Sequence, residues 1–216
     1  MMNFCFKTVS WIESGLGKIS ILPEVCKKLN VKRPIIVTDK GLSKLGYVDK
    51  INKILKDFDI QACVYNDVLA DPPEYNIFES VKVYHDFDAD GVIGLGGGSS
   101  MDVAKAVSYF SINKTPIKEC YGVNNLINKR SPLIQIPTTA GTGSELTPIS
   151  IFTLKNEQKM GIVDPILYAD CAILDADLTL DLPKHITAYS GIDAMVHAIE
   201  AYTTKLKKNP ISDALA

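Results

Sequence analysis

The stretch "DGVIGLGGGSSMDVAK", residues 90–105, decides the fold that the sequence predicts. Residues 90–95 are a short apolar run that predicts a buried strand, and residues 100–110 have the pattern of a helix. Three consecutive glycines at 96–98 lie between them. A strand, a glycine turn and a helix in this order are typical of a βαβ unit.

The flanking sequence repeats this alternation of strands and helices. Further strands are predicted at 34–39, 60–65, 131–138 and 169–175, and helices at 47–58 and 74–87. The pattern predicts an α/β fold whose mostly parallel sheet carries helices on both faces. Residues 149–163 differ, since two strand-like runs joined by a polar turn predict a hairpin laid over the site. From residue 183 onward the pattern becomes helical.

Composition and charge exclude several classes of protein. Of the 216 residues, 46% are hydrophobic and 22% are charged, as in ordinary globular proteins. A net charge of −2 argues against nucleic acid and anionic membranes as main partners. Five scattered cysteines without a C-x-x-C pair indicate reduced thiols. With neither a signal peptide nor a membrane span in the sequence, we expect a cytoplasmic protein.

The glycine loop is suited to bind a pyrophosphate. Glycines allow the backbone to approach a phosphate, and the start of a helix supplies oriented N–H donors. Ser99 and Ser100 stand where the helix should begin, and serine is a favoured N-cap. The loop is neither G-x-G-x-x-G nor a Walker A sequence. The alternative is a tight turn that binds no ligand.

Two further features lie at the ends of predicted strands. Asp39 ends the first strand, where its carboxylate can accept hydrogen bonds from ribose hydroxyls and would repel a 2′-phosphate, favouring NAD over NADP. Its alternative role is to cap the following helix or turn. The second feature is the loop "PTTAGTGSE", residues 137–145, whose hydroxyl groups and glycines can surround a nucleotide. The alternative for this loop is a polar surface turn.

"GIDAMVHAIEAY", residues 191–202, places Asp193 and His197 four residues apart on one predicted helix face. A carboxylate and an imidazole side by side provide half of a metal site. The alternative is that the two side chains only pair with each other. His85 and His185 are expected to be exposed and to take no part in metal binding.

Three motifs together resemble the iron-dependent (group III) alcohol dehydrogenase family: "GGGSSMDVAK", "PTTAGTGSE" and residues 172–202. The resemblance implies a Rossmann-like dinucleotide-binding domain at 1–182, followed by the first part of an all-helical domain at 183–216. It implies a metal, Fe2+ or Zn2+, in the cleft between them, held by Asp193 and His197. The residues that would line the cofactor are Asp39, Asp71, Gly97, Gly98, Ser99, Asp102, Thr138, Thr139, Thr142, Ser144 and Lys159.

The resemblance implies an NAD-dependent alcohol dehydrogenase or aldehyde reductase that acts on a small primary alcohol or aldehyde and forms a homo-oligomer. Family members continue well beyond position 216 and carry two more histidine ligands there, so the metal site is expected to be incomplete and activity weak. The alternatives are a non-catalytic NAD-binding remnant and a lyase similar to dehydroquinate synthase. Apolar residues on the helix at 191–202 are expected to be exposed and to cause self-association.

Overall fold

The computed structural model describes residues 4–216. Its strands are β1 (Ile12–Ser14), β2 (Pro34–Val37), β3 (Cys63–Tyr65), β4 (Gly91–Gly96), β5 (Gly122–Val123), β6 (Leu133–Pro137), β7 (Ile149–Thr153), β8 (Lys159–Val163) and β9 (Cys171–Leu174). Its α-helices are α1 (Leu22–Lys28), α2 (Lys40–Lys44), α3 (Tyr47–Lys56), α4 (Glu74–Asp86), α5 (Gly98–Phe110), α6 (Ile117–Cys120), α7 (Lys184–Thr203) and α8 (Pro210–Leu215). The predicted alternation of strands and helices is confirmed.

The main sheet has six strands in the order β1-β9-β6-β4-β2-β3, and every neighbouring pair is parallel. The predicted α/β, Rossmann-like fold is therefore confirmed. β3 and β4 lie on opposite sides of β2, so the strand order reverses direction between β2 and β4. Open α/β sheets bind their ligands beyond the carboxyl ends of the strands at such a point.

Helices cover both faces of the sheet, which explains why its central strands are apolar without interruption. All residues of β2, β4 and β6 are buried. In β2, Ile35 and Val37 pack into the core layer that contains α4 and α5, whereas Ile36 packs into the layer of α1 and α3. A strand buried on both faces has no polar side, so its sequence does not alternate.

The predicted hairpin at 149–163 is confirmed by the antiparallel pairing of β7 with β8. The short strand β5 extends this second sheet by pairing in parallel with β8. The hairpin is joined to the main domain at its tip, where the backbone N–H of Thr153 donates to the carbonyl of Pro72 at 2.9 Å. The hairpin therefore forms a wall beside the carboxyl edge of the main sheet.

The helical pattern after residue 183 corresponds to α7 and α8, and the domain boundary near residue 182 stays a prediction. α7 has no buried residue. Its apolar side chains Ile192, Met195, Val196 and Ile199 are all exposed, as expected from the sequence. Within residues 4–216, none of the helices combines the length and the hydropathy that crossing a membrane requires.

Candidate functional site

Two adjoining clefts lie along the edge of the sheet at which β2, β4 and β6 end. The first, of about 580 Å³, lies between the segments that follow β2 and β4. The second, of about 870 Å³, is bounded by the start of α5, the loop after β6, the β7–β8 hairpin and α7. Gly98 and Ser99 line both clefts, so a ligand at the start of α5 can extend into either one.

The structure brings the predicted cofactor residues together in these clefts. The first cleft is lined by Asp39, Gly97, Gly98, Ser99, Thr138 and Thr139. The second cleft is lined by Asp71, Gly98, Ser99, Asp102, Thr142, Ser144 and Lys159, together with Asp193 and His197. Their contact with a cofactor stays a prediction.

The start of α5 presents backbone to the clefts. β4 ends at Gly96, whose φ of 143° favours glycine. Gly97 has an extended backbone and is itself the N-cap, so the expectation that a serine caps this helix is wrong: Ser99 and Ser100 lie inside its first turn. No side chain caps α5, and the first N–H groups of a helix lack intrahelical acceptors. They are available to bind an anion.

Threonines of the second loop pack over these glycines. A Cβ atom on Gly98 would lie 3.0 Å from Cγ2 of Thr142, and one on Gly97 would lie 3.5 Å from Cγ2 of Thr139. The hydroxyl of Thr139 is buried and has no hydrogen-bond partner among residues 4–216. A buried polar atom without a partner, beside available N–H groups, fits a polar ligand.

Asp39 has the capping role that the sequence left open. Its Oδ1 atom accepts hydrogen bonds from the backbone N–H groups of Gly41, at 2.7 Å, and Leu42, at 3.0 Å. The same residue lines the first cleft. Because the cap uses only Oδ1, the second carboxylate oxygen can still accept a hydrogen bond from a ligand, and the two roles are compatible.

Lys105 on α5 lines neither cleft but contacts residues that do, and the sequence analysis missed this role. Its side chain is only 1% exposed, and its Nζ atom donates to the hydroxyl of Ser144 at 2.7 Å and to the Ser144 carbonyl at 2.9 Å. The ammonium group also contacts the carbonyl of Ile149 and lies 3.0 Å from Oδ1 of Asp102. Burial lowers the pKa of Lys105, while the charges of Asp102 and Glu145 oppose this shift.

The buried cluster formed by Lys105, Asp102 and Ser144 fixes the second loop to α5. The Ser144 hydroxyl donates to Oδ1 of Asp102 at 2.6 Å, and the other oxygen of Asp102 accepts from the N–H of Ile151 at 2.9 Å. Ser144 and Asp102 therefore line the second cleft with side chains that already have protein partners. The signal in the sequence was the spacing of Asp102 and Lys105, which allows an i, i+3 ion pair.

α7 brings the predicted metal ligands to the second cleft. Gly141 of the second loop packs against its backbone, and a Cβ atom on Gly141 would lie 2.7 Å from the Ser190 carbonyl oxygen. Farther along α7, Nε2 of His197 lies 3.5 Å from Oδ1 of Asp193. The carboxylate and imidazole residues thus line the second cleft together with Thr142 and the start of α5.

Asp193 and His197 offer one oxygen and one nitrogen, both suitable for Fe2+ or Zn2+. A catalytic metal usually has three protein ligands. In the part of the chain that the structure describes, no group of three His, Cys, Asp or Glu side chains is arranged to hold a metal. His85 and His185 are exposed, as expected, and neither lines a cleft. The residues present fit half of a metal site.

Asp71 and Lys159 form an ion pair at the rim of the second cleft. Nζ of Lys159 lies 2.6 Å from Oδ1 of Asp71, and both side chains are exposed. This contact joins the segment before α4 to strand β8 of the hairpin. Each residue thus has the other as its partner at the rim of the second cleft.

Comparison with known proteins gives consistent results. The sequence profile of the iron-containing alcohol dehydrogenases matches residues 10–176. The sulfoacetaldehyde reductase of Bilophila wadsworthia is 40% identical over 215 residues, which are 99% of this chain and 55% of that protein. The chain spans about half the length of the curated relatives it matches.

Solved structures resemble the fold closely. An alcohol dehydrogenase from Oenococcus oeni superposes with a TM-score of 0.94 at 38% identity, covering 98% of this chain and 56% of that one. A sulfoacetaldehyde reductase from Bifidobacterium kashiwanohense, solved in complex with NAD+, superposes with a TM-score of 0.91 at 28% identity, covering 99% of this chain and 57% of that one.

Proposed function

Because the chain belongs to the iron-containing alcohol dehydrogenase family, we propose that it acts as an NAD-dependent alcohol dehydrogenase or aldehyde reductase. The observation that carries the proposal is the meeting of three features in adjoining clefts: the open start of α5, the capping carboxylate of Asp39, and the Asp193–His197 pair. The family assignment leaves the alternative of a lyase without support.

NAD would lie across both clefts with its pyrophosphate at the start of α5. The N–H groups of the first helical turn, at Gly98 and Ser99, would bind the phosphate oxygens. Asp39 would accept a hydrogen bond from the adenosine ribose, and its charge would disfavour the 2′-phosphate of NADP. Leu69 and Ile186, which line the first cleft, offer an apolar surface to the adenine ring.

The nicotinamide end would extend into the second cleft, toward α7. There the bound cofactor supplies the hydride acceptor for alcohol oxidation. The hydroxyl of Thr142 and the rim residues Asp71 and Lys159 would position its ribose and amide groups. The cluster of Lys105, Asp102 and Ser144 holds this wall in place and needs no contact with the cofactor.

Asp193 and His197 would hold Fe2+ or Zn2+, which supplies a Lewis acid for the oxygen of a small primary alcohol or aldehyde. Both residues line the second cleft, into which the nicotinamide end would extend. Two donors alone hold a metal weakly, so tight binding requires at least one ligand in addition to these two. Residues 4–216 by themselves are therefore expected to bind NAD and to turn over alcohol poorly.

A second candidate function follows from the fact that only two candidate metal ligands, Asp193 and His197, are found in the described residues. Because no third donor joins Asp193 and His197 in the described residues, the alternative is an NAD-binding protein that lacks a complete metal site. We also expect a homo-oligomer, since the exposed apolar residues of α7 favour self-association. The expected compartment is the cytoplasm, because the scattered cysteines indicate reduced thiols.

The decisive experiment combines two measurements on the 216-residue chain. Thermal stabilisation by millimolar NAD tests the nucleotide site, and NADH formation from small primary alcohols with added Fe2+ or Zn2+ tests the dehydrogenase. Stabilisation with metal-dependent NADH formation supports the proposal. Because only slow turnover is expected, any NADH formation that depends on the added metal, at whatever rate, counts for the dehydrogenase. Stabilisation with no metal-dependent NADH formation favours the NAD-binding alternative, and the absence of any shift in melting temperature contradicts both.

A further inference from the structure

One wall of the first cleft is the loop between β3 and α4, which is held by hydrogen bonds. Asn76 is fully buried, and its Oδ1 atom accepts from the N–H of Leu69 at 3.2 Å while its Nδ2 atom donates to the carbonyl of Asp67 at 3.2 Å. The N–H of Val68 donates to the carbonyl of Thr38 at 3.3 Å. These bonds fix Asp67 beside the residues that follow β2.

Asp67 forms an ion pair with Lys40, the residue directly after Asp39. All three residues line the first cleft. The pair is exposed, and the hydrogen bond and the charge of Asp67 raise the pKa of Lys40 above its ordinary value. The cleft wall thus carries one ammonium group, paired with Asp67, and a second carboxylate at Asp39, so its local charge is negative.

Because of this ion pair, the charge of Asp39 is not the only charge that would decide between NAD and NADP. Without the charge of Asp39, Lys40 would still be neutralised by Asp67, so a 2′-phosphate would meet no net positive charge. Without both carboxylates, the ammonium group of Lys40 would be available to a phosphate dianion. The selection against NADP therefore depends on Asp67 as well as on Asp39.

We propose that Asp67 is a second determinant of cofactor specificity, which acts by holding and neutralising Lys40. The inference rests on the proposed binding of NAD with its adenosine ribose at Asp39. One unit charge a few ångström from the 2′-phosphate, in a water-like dielectric, changes affinity by about fivefold. Each carboxylate removed should therefore improve the relative binding of a 2′-phosphorylated nucleotide by about that factor.

The test uses two fragments that need neither metal nor turnover: adenosine 5′-monophosphate and adenosine 2′,5′-bisphosphate. Calorimetry gives the ratio of their affinities for the wild type, Asp39→Asn, Asp67→Asn and the double variant. Asparagine is as good an N-cap as aspartate, so Asp39→Asn keeps the start of α2 intact. A general loss of structure would weaken both fragments alike, whereas the ratio responds to charge.

Relative to the wild type, Asp39→Asn should bind the bisphosphate about fivefold better in proportion to the monophosphate. The double variant should improve this ratio by about fivefold more. Both improvements should be smaller at high salt. Adding Lys40→Gln to the double variant should remove the improvement in the ratio that Asp67→Asn adds to Asp39→Asn. Glu24→Gln is the matched control, because it removes a carboxylate from an exposed ion pair with Lys28 on α1, outside both clefts.

Two results would overturn the inference, and they are distinguishable. If the double variant has the same ratio as Asp39→Asn while the monophosphate still binds, Asp67 has no part in specificity and the nucleotide site stands. If the wild type binds neither fragment at millimolar concentration, the nucleotide site itself is wrong, and the inference is wrong with it.

Discussion

The ammonium nitrogen of Lys105 lies 2.7 Å from the hydroxyl oxygen of Ser144, and this buried contact joins α5 to the second loop. The same helix begins with the glycine turn that would hold the pyrophosphate. The two walls of the second cleft are thus connected through the charged side chains of Lys105 and Asp102. Removing one partner from a buried ion pair usually costs about 3–5 kcal/mol, because the other charge is left uncompensated.

We expect Lys105→Met to lower the free energy of unfolding by about 3 kcal/mol. Methionine fills a similar volume but leaves the charge of Asp102 without its cation and the carbonyls of Ser144 and Ile149 without the ammonium donor. Urea denaturation measures the change. The double variant Lys105→Met/Asp102→Asn should recover part of the loss, since it removes the stranded charge. Equal unfolding midpoints for Lys105→Met and the wild type would contradict this role.

Gly98→Ala should lower the affinity for NAD without lowering the stability of the folded protein. The added methyl group would lie 3.0 Å from Cγ2 of Thr142 and would occupy the approach to the first N–H groups of α5. Because the methyl group would stand between a bound phosphate and these N–H groups, NAD affinity should fall by about tenfold, or about 1.4 kcal/mol. Alanine also favours the helix over glycine by up to about 1 kcal/mol, so the melting temperature without NAD should not fall in parallel.

The control for this variant is Gly191→Ala. Gly191 lies within α7, and a Cβ atom there would have no heavy atom within 4 Å. Its substitution should stabilise the helix by up to about 1 kcal/mol and leave NAD affinity unchanged. A Gly98→Ala variant that binds NAD as tightly as Gly191→Ala would show that the nucleotide does not approach α5 closely.

The sequence was sufficient to predict the features that depend on local patterns. The uninterrupted apolar runs at β2, β4 and β6 identified strands buried on both faces, and parallel strands place the loops that follow them at one edge. The four-residue spacing of Asp193 and His197 required only a helix. These predictions succeeded because periodicity and strand direction determine them.

Features that depend on long-range contacts could not be predicted in the same way. β1 has three residues, two of them exposed, and it pairs with β9 about 160 positions later in the chain. Lys105 is buried by the second loop, which lies about 40 residues later in the chain, so its local sequence does not distinguish it from a surface lysine. The start of α5 was misassigned because the extended backbone of Gly97 supplies the cap that a serine side chain usually provides.

His197→Asn should weaken metal binding and leave NAD binding unchanged. Loss of an outer-sphere partner of a metal ligand already costs 10–100-fold in affinity, so loss of a ligand should cost at least about tenfold. Calorimetric titration with Zn2+ in the presence and absence of NAD measures both effects. His185→Asn is the control, because His185 lies exposed on the same helix and contacts Tyr189. Equal Zn2+ affinities for the two variants would exclude His197 as a ligand.

Glu145 should make stability depend on pH. Burial raises the pKa of its carboxyl group above the ordinary value, and its Oε2 atom has no hydrogen-bond partner in the described residues. The folded state therefore binds the proton more tightly than the unfolded state. Above the folded-state pKa of Glu145, the buried carboxylate is charged and destabilises the folded state in full. This destabilisation decreases as the pH falls through that pKa.

Glu145→Gln should accordingly raise the melting temperature at neutral pH, and the gain should disappear at about pH 3, where the wild-type carboxyl is protonated in both states. Thermal denaturation of both proteins across this range measures the difference. Glu24→Gln, at an exposed position of α1, should change little at any pH. A lower melting temperature for Glu145→Gln at pH 7 would mean that Lys105 stabilises the ionised carboxylate.

The exposed face of α7 should cause self-association at high protein concentration. Met195 and Ile199 are 56% and 54% exposed, and they lie on the side of the helix opposite Asp193 and His197. Replacing both with glutamate should keep the helix and reduce the mean mass in light scattering toward that of a monomer. Two substitutions by glutamate also lower the net charge by two, so Lys82→Glu on the exposed side of α4 controls for charge alone. A wild-type chain that stays monomeric at millimolar concentration would show that this face does not associate.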